Sequence, residues 1–545
     1  MHAIQGQVAL AREHGLFKAA SASQVLWHLL LVVTGNSELG VSQHDSLPVV
    51  TKVDFFISHS WSCPSWIKFL ALCHQLNFDL AIASSLFACL FATAFLVSWC
   101  GSVTGVAQHP RLLQALVIPW PTAVFFTTYF LGHLLKSGAS FWIDQVCIHQ
   151  RNLLKKTQTL QALPGIIAQS SQMLVVWDEI YFQRLWCNYE LAVHTKTSKA
   201  GSIQIVPTWM PLWTLASFGV LSTAGYLYAG SSAAKMDTDS GLSLFSSLWN
   251  AYILPYVLEL FAASIPLTCC CLHKLKRHKL MLDQMMHFDL KSAKCTLETD
   301  RIVLQQQVLN LFDEALQPPL SVEFSRESTP ILSTDDTEEP LISPEDIRSI
   351  RPITSYPSKD EVIGEFNEYV RRTLRDSILD SMGKEEFTSL KFCIAVCLPA
   401  VYMGLNTVLN CDGFGDCSVS AAKRPGYTSV SKYMISNAVT STILLPLSMI
   451  LSFPLMLRTN SLVYNMVSGT ISQVALGSFV TALVLIVTQS YGSIQTVGLI
   501  MAVEKESLCW FAAFLCLVAL EFWAMYVLFR TKAHGGTTSS CRTVG

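Results

Sequence analysis

The 20 residues from Leu80 to Trp99, "LAIASSLFACLFATAFLVSW", contain no charged side chain. A helix needs about 20 consecutive apolar residues to cross a bilayer core about 30 Å thick. Only a helix or a closed barrel can satisfy its own backbone hydrogen bonds in lipid. We therefore predict that this stretch is a transmembrane helix.

Similar apolar runs recur along the whole chain, which has 545 residues, 51% hydrophobic and only 14% charged. A soluble chain of ordinary composition carries about 25% charged residues. Seven further spans are predicted: Leu112–Leu131, Trp209–Tyr228, Ala251–Leu272, Phe392–Leu409, Ile435–Leu457, Ile471–Thr488 and Leu508–Phe529. The chain is thus predicted to be an α-helical multi-pass membrane protein with about eight spans, and its partner is the lipid bilayer. The net charge of -2 gives no reason to expect nucleic acid as a partner.

Lysine and arginine set the predicted orientation, because loops on the cytosolic side carry an excess of them. The fourth span is followed by "HKLKRHK" and the eighth runs into "FRTK". With an even number of spans, both termini are predicted to be cytosolic. The pattern does not indicate which membrane the protein occupies.

Two carboxyl groups and two cysteines in the predicted membrane region invite a functional interpretation. Glu259 and Glu521 each lie near the middle of a span, where a charge is costly and often functional. They form a candidate intramembrane polar site, and the alternative is a carboxyl group hydrogen-bonded between packed helices. Cys411 and Cys417 in "NCDGFGDCS" flank a turn on the non-cytosolic side, where a disulfide is predicted.

Outside the spans, short apolar segments alternate with helical patterns. "VDFFIS", "FWID", "MLVVW" and "IQIVPTW" are typical of buried strands, and "CNYELAVHTK" lies on a helix between the last two. Such alternation predicts a parallel sheet with helices on its faces. We predict one cytosolic α/β domain formed by residues 1–79 and 132–208 and interrupted by a transmembrane hairpin, residues 80–131.

The rest of the chain divides by composition. A transmembrane pair is predicted at 209–272 and a four-span region at 391–530, followed by a cytosolic tail at 531–545. Between them, residues 273–390 form a cytosolic block of amphipathic helices. Within it, the Ser-, Thr-, Pro- and acid-rich segment at about 318–358 is predicted to be a disordered linker, since it has too little apolar surface to fold.

Three motifs in the α/β regions together resemble a TIR domain over roughly 130 residues. "DFFISHSW" resembles the first strand motif, and "FWIDQVCIHQ" resembles the second strand, which ends at Asp144. "RLWCNYEL" resembles the Trp-Cys-x-x-Glu segment of the family. The second motif is also similar to heterokaryon-incompatibility domains, which are TIR-related. The resemblance implies a flavodoxin-like parallel sheet.

Many TIR domains cleave the nicotinamide–ribose bond of NAD+, and the resemblance implies that Glu190 is the catalytic residue. A carboxylate beside the ribose would stabilise an oxocarbenium-like transition state. NAD+ would be a substrate, and no cofactor or metal is implied. Self-association through the TIR-like domain is implied as well. The substrate-binding residues implied are Phe56, Ile57, Ser58, His59, Ser60, Trp61, Asp144 and Trp186.

Two other functions stay open on the sequence. In one, Glu190 is a solvated helix residue, and the domain is a non-catalytic scaffold or adaptor that assembles at the membrane. Ser60 and Trp61 stand where several NAD-cleaving members place a basic residue, which favours this alternative. In the other, the spans form a channel or transporter and the TIR-like domain regulates it.

Overall fold

The computed structural model describes residues 15–33, 44, 46–135, 138–197, 202–234, 254–295, 301–302, 304–305, 307–308, 359–410 and 428–530. Cys411, Cys417, the predicted linker and the C-terminal tail lie outside this part of the chain, as does the side chain of Glu259. The chain divides into two compact units. The first comprises Met1–Phe69, Ser137–Val206 and Leu282–Asp376, and the second comprises Leu70–Lys136, Pro207–Met281 and Ser377–Gly545.

The first unit contains a five-stranded sheet with the order β1-β3-β2-β4-β5. Its strands are β1 (Ala20–Ser21), β2 (Val53–His59), β3 (Ser140–Trp142), β4 (Ser170–Trp177) and β5 (Ile203–Pro207). The four predicted strands are all present. The prediction of a parallel sheet is wrong at one edge, because β1 pairs with β3 in the antiparallel sense. The sheet is therefore mixed. The sequence could not reveal β1, because a two-residue strand has no alternating pattern.

The three central strands are parallel and deeply buried. β2 pairs with β3 on one side and with β4 on the other, and Ser58 stands opposite Val175. The last five residues of β4, Met173 to Trp177, are fully buried, as expected for a strand covered on both faces. Phe56 stacks on Trp142 with ring centroids 4.8 Å apart. The carboxyl ends of β2, β3 and β4 therefore meet at one edge of the sheet.

Helices follow each of these strands. The sheet-forming regions contribute Ala22–Val33, Asp144–Cys147, Leu153–Ala168 and Leu185–Thr197, and the later segment contributes Lys359–Glu368 and a π-helical turn Tyr369–Leu374. The next helix, Arg375–Met382, begins in this unit and continues into the second. Asn152 is the N-cap of the helix Leu153–Ala168, and its side chain accepts a hydrogen bond from the backbone N–H of Lys155. We call Leu185–Thr197 the Glu190 helix. It begins just after the 3-10 turn Tyr181–Gln183.

Within the described residues, six helices are long and apolar enough to cross a membrane, and the chain is a membrane protein. They are Ser65–Cys100, Pro110–Leu135, Leu390–Leu409, Val430–Met466, Thr470–Lys505 and Leu508–Phe529. The third and fourth predicted spans fall in the helices Trp209–Ala234 and Leu254–Met286, which are not among the six. Ser65–Cys100 has 36 residues and is about 54 Å long. The first predicted span is therefore the later part of a helix that begins in the first unit.

Close approaches and polar contacts hold the helices of the second unit together. A Cβ atom on Gly404 would overlap the carbonyl oxygen of Ser441, so these two backbones pack directly against each other. Elsewhere Thr268 Oγ1 lies 2.8 Å from Thr481 Oγ1, and Asn460 Nδ2 donates to Thr481 Oγ1 at 2.9 Å. Small residues and buried hydrogen bonds of this kind are the usual means of helix association in membranes.

Candidate functional site

Glu190 lies near the carboxyl end of β2. Ser58 is the penultimate residue of β2, and its hydroxyl donates a hydrogen bond to Oε2 of Glu190 at 2.6 Å. The same hydroxyl oxygen lies 2.8 Å from the phenol oxygen of Tyr181. Ser58 and Tyr181 are both fully buried, whereas Glu190 keeps partial contact with solvent. The carboxyl group of Glu190 is thus held by a hydrogen bond from the sheet.

The three groups form a directed chain of hydrogen bonds. A serine hydroxyl has one proton to donate, and an ionised carboxylate can only accept. Because Ser58 donates to Glu190, the proton shared with Tyr181 must come from the phenol. The direction is therefore Tyr181 to Ser58 to Glu190 when the carboxyl group is ionised.

The surroundings of Glu190 favour its protonated form. Burial of the carboxyl group raises its pKa well above the usual range, the hydrogen bond from Ser58 lowers it in part, and the charge of Asp144 raises it further. Although the residue as a whole keeps some exposure, the carboxyl group itself is surrounded by protein. A carboxyl group in this situation can accept a proton at a pH where an ordinary glutamate would not.

Asp144 lies just past β3, at the start of the helix Asp144–Cys147, and has the opposite environment. His59 Nε2 lies 2.9 Å from its Oδ1, and the indole N–H of Trp61 donates to its Oδ2. Burial alone would raise the pKa of Asp144. The charge of His59, the hydrogen bonds from His59 and Trp61 and the charge of Lys68 outweigh burial, so the pKa is lowered.

The site therefore holds two carboxyl groups whose pKa values are moved in opposite directions. The pKa of Glu190 is raised and that of Asp144 is lowered. In acid–base sites, a difference of this kind between two pKa values lets one carboxyl group accept a proton while the other stays charged. Asp144 is therefore the carboxyl group that more readily stays negatively charged, and Glu190 is the one that more readily takes up a proton.

The other predicted substrate-binding residues divide into packing and accessible side chains. Phe56 and Ile57 are buried in the core of the first unit, and the hydroxyl of buried Ser60 lies 2.7 Å from that of Ser62. Trp61 is 55% exposed, and its indole N–H is held by Asp144. Trp186 is half-buried and meets the ring of Tyr189 edge-on.

The sequence interpretation missed two charged residues at the same edge of the sheet. Lys68 lies in the first turn of Ser65–Cys100 and is only 1% exposed. Asp178 directly follows β4 and is half-buried. A lysine within the otherwise apolar run "SWIKFLALC", and an aspartate immediately after a buried strand, are signals that could have identified them.

The cysteine and histidines nearby have structural roles. The Cys187 thiol donates to the carbonyl of His59 at 3.5 Å, and burial, followed by the charge of Glu190, raises its pKa well above the usual range. It is therefore a thiol and a poor nucleophile at neutral pH. His194 is held by Ser202 at 2.9 Å. Within the described residues, no group of three or more His, Cys, Asp or Glu side chains could hold a metal ion.

In the second unit, Glu521 is paired within the membrane region. Its Oε2 accepts a hydrogen bond from Gln495 Nε2 at 2.8 Å, and both residues are buried. The other side-chain oxygens, Oε1 of Glu521 and of Gln495, have no hydrogen-bond partner among the described residues. A separate cavity of about 490 Å³ in this unit is lined mostly by apolar residues such as Leu221, Met403 and Leu485.

The fold and the site define a membrane protein with an α/β unit whose sheet presents a carboxyl-rich site at one edge. No protein-family model, no curated protein and no solved structure matches this chain.

Proposed function

We propose that the α/β unit is a TIR-like domain that cleaves the nicotinamide–ribose bond of NAD+, with Glu190 as the catalytic residue. The observation that carries the proposal is the hydrogen bond from Ser58 to Glu190, 2.6 Å long, at the carboxyl ends of parallel strands. Ligands of open α/β sheets bind at that edge. The raised pKa of Glu190 supports the same assignment.

The reaction needs a group that tolerates positive charge and then takes up a proton. As nicotinamide leaves with the bonding electron pair, the ribose carbon becomes oxocarbenium-like, and the carboxylate of Glu190 stabilises it. Water then attacks that carbon, and Glu190 accepts the proton that the water releases. The products are ADP-ribose, nicotinamide and one proton. Trp61 offers an exposed ring on which a base can stack.

The test is nicotinamide release from NAD+ by the full-length protein in detergent, comparing wild type with Glu190→Gln. We expect release by wild type and a loss of at least about 100-fold in the variant. The matched control is Glu368→Gln, since Glu368 is an exposed helical glutamate paired with Arg372. Equal expression, and an unfolding temperature of each variant no lower than that of wild type, must accompany the comparison.

A different outcome would favour the adaptor function. If wild type releases no nicotinamide, even when the protein is concentrated in vesicles so that the domains can associate, Glu190 has no catalytic role. The same preparation, examined for self-association by cross-linking, would then show whether the domain acts as a scaffold.

We further propose that eight spans place the α/β unit and both termini in the cytosol. The positive charges after the fourth and eighth predicted spans support this orientation. An epitope inserted among residues 101–111 should then be accessible only from the non-cytosolic side. Labelling of that epitope from the cytosol would contradict the topology.

Conduction is a second candidate because of the pair formed by Gln495 and Glu521. One oxygen on each side chain has no hydrogen-bond partner within the described part of the chain, and buried polar groups of this kind in membrane helices often bind a cation or proton. Ion or proton flux into vesicles that is present in wild type and absent in Glu521→Gln would support it. Equal flux in both would leave the pair a structural contact between helices.

A further inference from the structure

A buried lysine without a hydrogen-bond partner lies beside the proposed catalytic site. Lys68 is 1% exposed, and its Nζ atom has no hydrogen-bond partner within the described residues. Electrostatic interactions join it to Asp144 and Asp178, and to the thiols Cys63 and Cys187. An ammonium group that is buried without hydrogen bonds is costly. Such a group is usually kept for a ligand or an ordered water.

The matching acceptor lies on Asp178. Its Oδ1 atom is buried and has no hydrogen-bond partner in the described part of the chain. Burial raises the pKa of this carboxyl group, and backbone hydrogen bonds from Ile180 and Tyr181 and the charge of Lys68 counter the rise in part. The residue keeps partial exposure, and it directly follows β4, which pairs with β2 just ahead of the helix that carries Lys68. Asp178 also interacts electrostatically with Tyr181, which belongs to the hydrogen-bond chain of Glu190.

We propose that Lys68 and Asp178 form a buried subsite that binds the vicinal hydroxyl groups of the ribose whose glycosidic bond faces Glu190. The inference rests on the proposed function and names the sugar-binding residues of that site. The ammonium of Lys68 donates to one hydroxyl oxygen, and Oδ1 of Asp178 accepts the proton of the other.

The charge balance favours a neutral diol over a phosphate. Two carboxyl groups, those of Asp144 and Asp178, already interact electrostatically with Lys68. A phosphate placed there would be repelled by both. A pair of hydroxyl groups both donates and accepts, so it satisfies the lysine and the aspartate together without adding charge.

The experiment compares equilibrium binding of NAD+ with binding of its analogue that lacks the 2′ and 3′ hydroxyls on the nicotinamide ribose. Binding is measured on full-length Glu190→Gln protein, so that turnover does not consume the ligand. We expect the dideoxy analogue to bind roughly 10- to 100-fold more weakly, because hydrogen bonds to two charged groups are lost. In Asp178→Asn or Lys68→Met on the same background, NAD+ should bind about as weakly as the analogue.

A protein that merely needed Lys68 for folding would not discriminate between the two ligands. Lys68→Arg, which keeps the charge, should retain part of the preference for NAD+, and near-ultraviolet circular dichroism verifies that each variant is folded. Equal affinity for both ligands would overturn the subsite, while nicotinamide release by wild type would still stand. Discrimination without any nicotinamide release would support the subsite and overturn the cleavage proposal. Absence of both binding and release would overturn both.

Discussion

The hydroxyl of Ser58 lies 2.6 Å from Oε2 of Glu190, although 132 positions separate the two residues in the chain. This contact ties the carboxyl end of β2 to the Glu190 helix. It also connects the glutamate to the phenol of Tyr181 through a single hydroxyl group. The contact should govern both the reactivity of the glutamate and its pH dependence.

Replacing Ser58 by alanine should shift the pH–rate profile of nicotinamide release. The Ser58 hydrogen bond lowers the pKa of Glu190, so its loss raises that pKa and moves the acid limb to higher pH. We expect a fall of roughly tenfold in release at neutral pH, the value of one charged hydrogen bond. The control is Ser292→Ala, an exposed serine that donates to Asp289. A profile lowered equally at every pH would argue against a role through Glu190.

Glu190→Gln should be more stable than wild type at neutral pH. A carboxyl group whose pKa is raised in the folded state weakens folding as the pH rises from its unfolded value of about 4.3 to its folded value. Above the folded-state pKa, this loss of folding stability no longer changes with pH. The glutamine of the variant carries no charge and does not cause this loss of stability. We therefore expect the variant to have a melting temperature higher by on the order of 2–4 °C at pH 7 and a smaller difference near pH 4. If the melting temperature of the variant exceeded that of wild type by less at pH 7 than at pH 4, this prediction would be wrong.

Asp144→Asn should have the opposite pH dependence. Burial by itself would raise the pKa of Asp144 in the folded state. The charge and hydrogen bond of His59 are the largest of the effects that outweigh burial, so the pKa is lowered. Its stabilising contribution is therefore present above its unfolded pKa of about 3.9 and is lost as the pH falls through the folded value. We expect the variant to lose on the order of 1 kcal/mol at pH 7 and less in acid. Unfolding by denaturant at several pH values measures this difference, and a constant deficit would refute the linkage.

Gly404→Ala should strongly destabilise the second unit. The added methyl group would overlap the carbonyl oxygen of Ser441, and forcing the two backbones apart costs about 1–3 kcal/mol. Gly219→Ala is the matched control, because no described atom outside its own stretch of helix lies within 4 Å of its Cβ position. There alanine should stabilise the helix by about 0.5–1 kcal/mol. Thermal unfolding in detergent compares the two, and equal melting temperatures would exclude the close approach.

Thr481→Val should weaken helix packing in the same unit. Thr481 receives a hydrogen bond from Asn460 and lies within hydrogen-bond distance of Thr268. Hydrogen bonds between membrane helices are worth about 0.6 kcal/mol on average, so we expect a loss of roughly 1 kcal/mol. Thr496→Val on the same helix is the control, since Thr496 donates to Gly492 one turn earlier. A larger effect at Thr496 would show that the contacts between helices carry little energy.

Several elements follow from local sequence because local physics alone requires them. The run from Leu80 to Trp99 must be helical, since an apolar stretch in lipid has to satisfy its own backbone hydrogen bonds. The strand β4 is visible because a strand buried on both faces reads as a continuous apolar run. The sequence pattern around Glu190 predicted the helix on which this residue lies.

The arrangement of the site depended on tertiary structure. No local pattern records that Ser58 reaches Glu190, that His59 meets Asp144 across 85 positions, or that Lys68 lies buried beside Asp178. The two-residue strand β1 likewise carries no periodicity, and its antiparallel pairing with β3 makes the sheet mixed. The sequence determined which segments are apolar enough to span or to be buried, since that property is additive along the chain. Only folding decided which polar groups meet, since their partners are distant in sequence and their protonation depends on the burial and charges that packing creates.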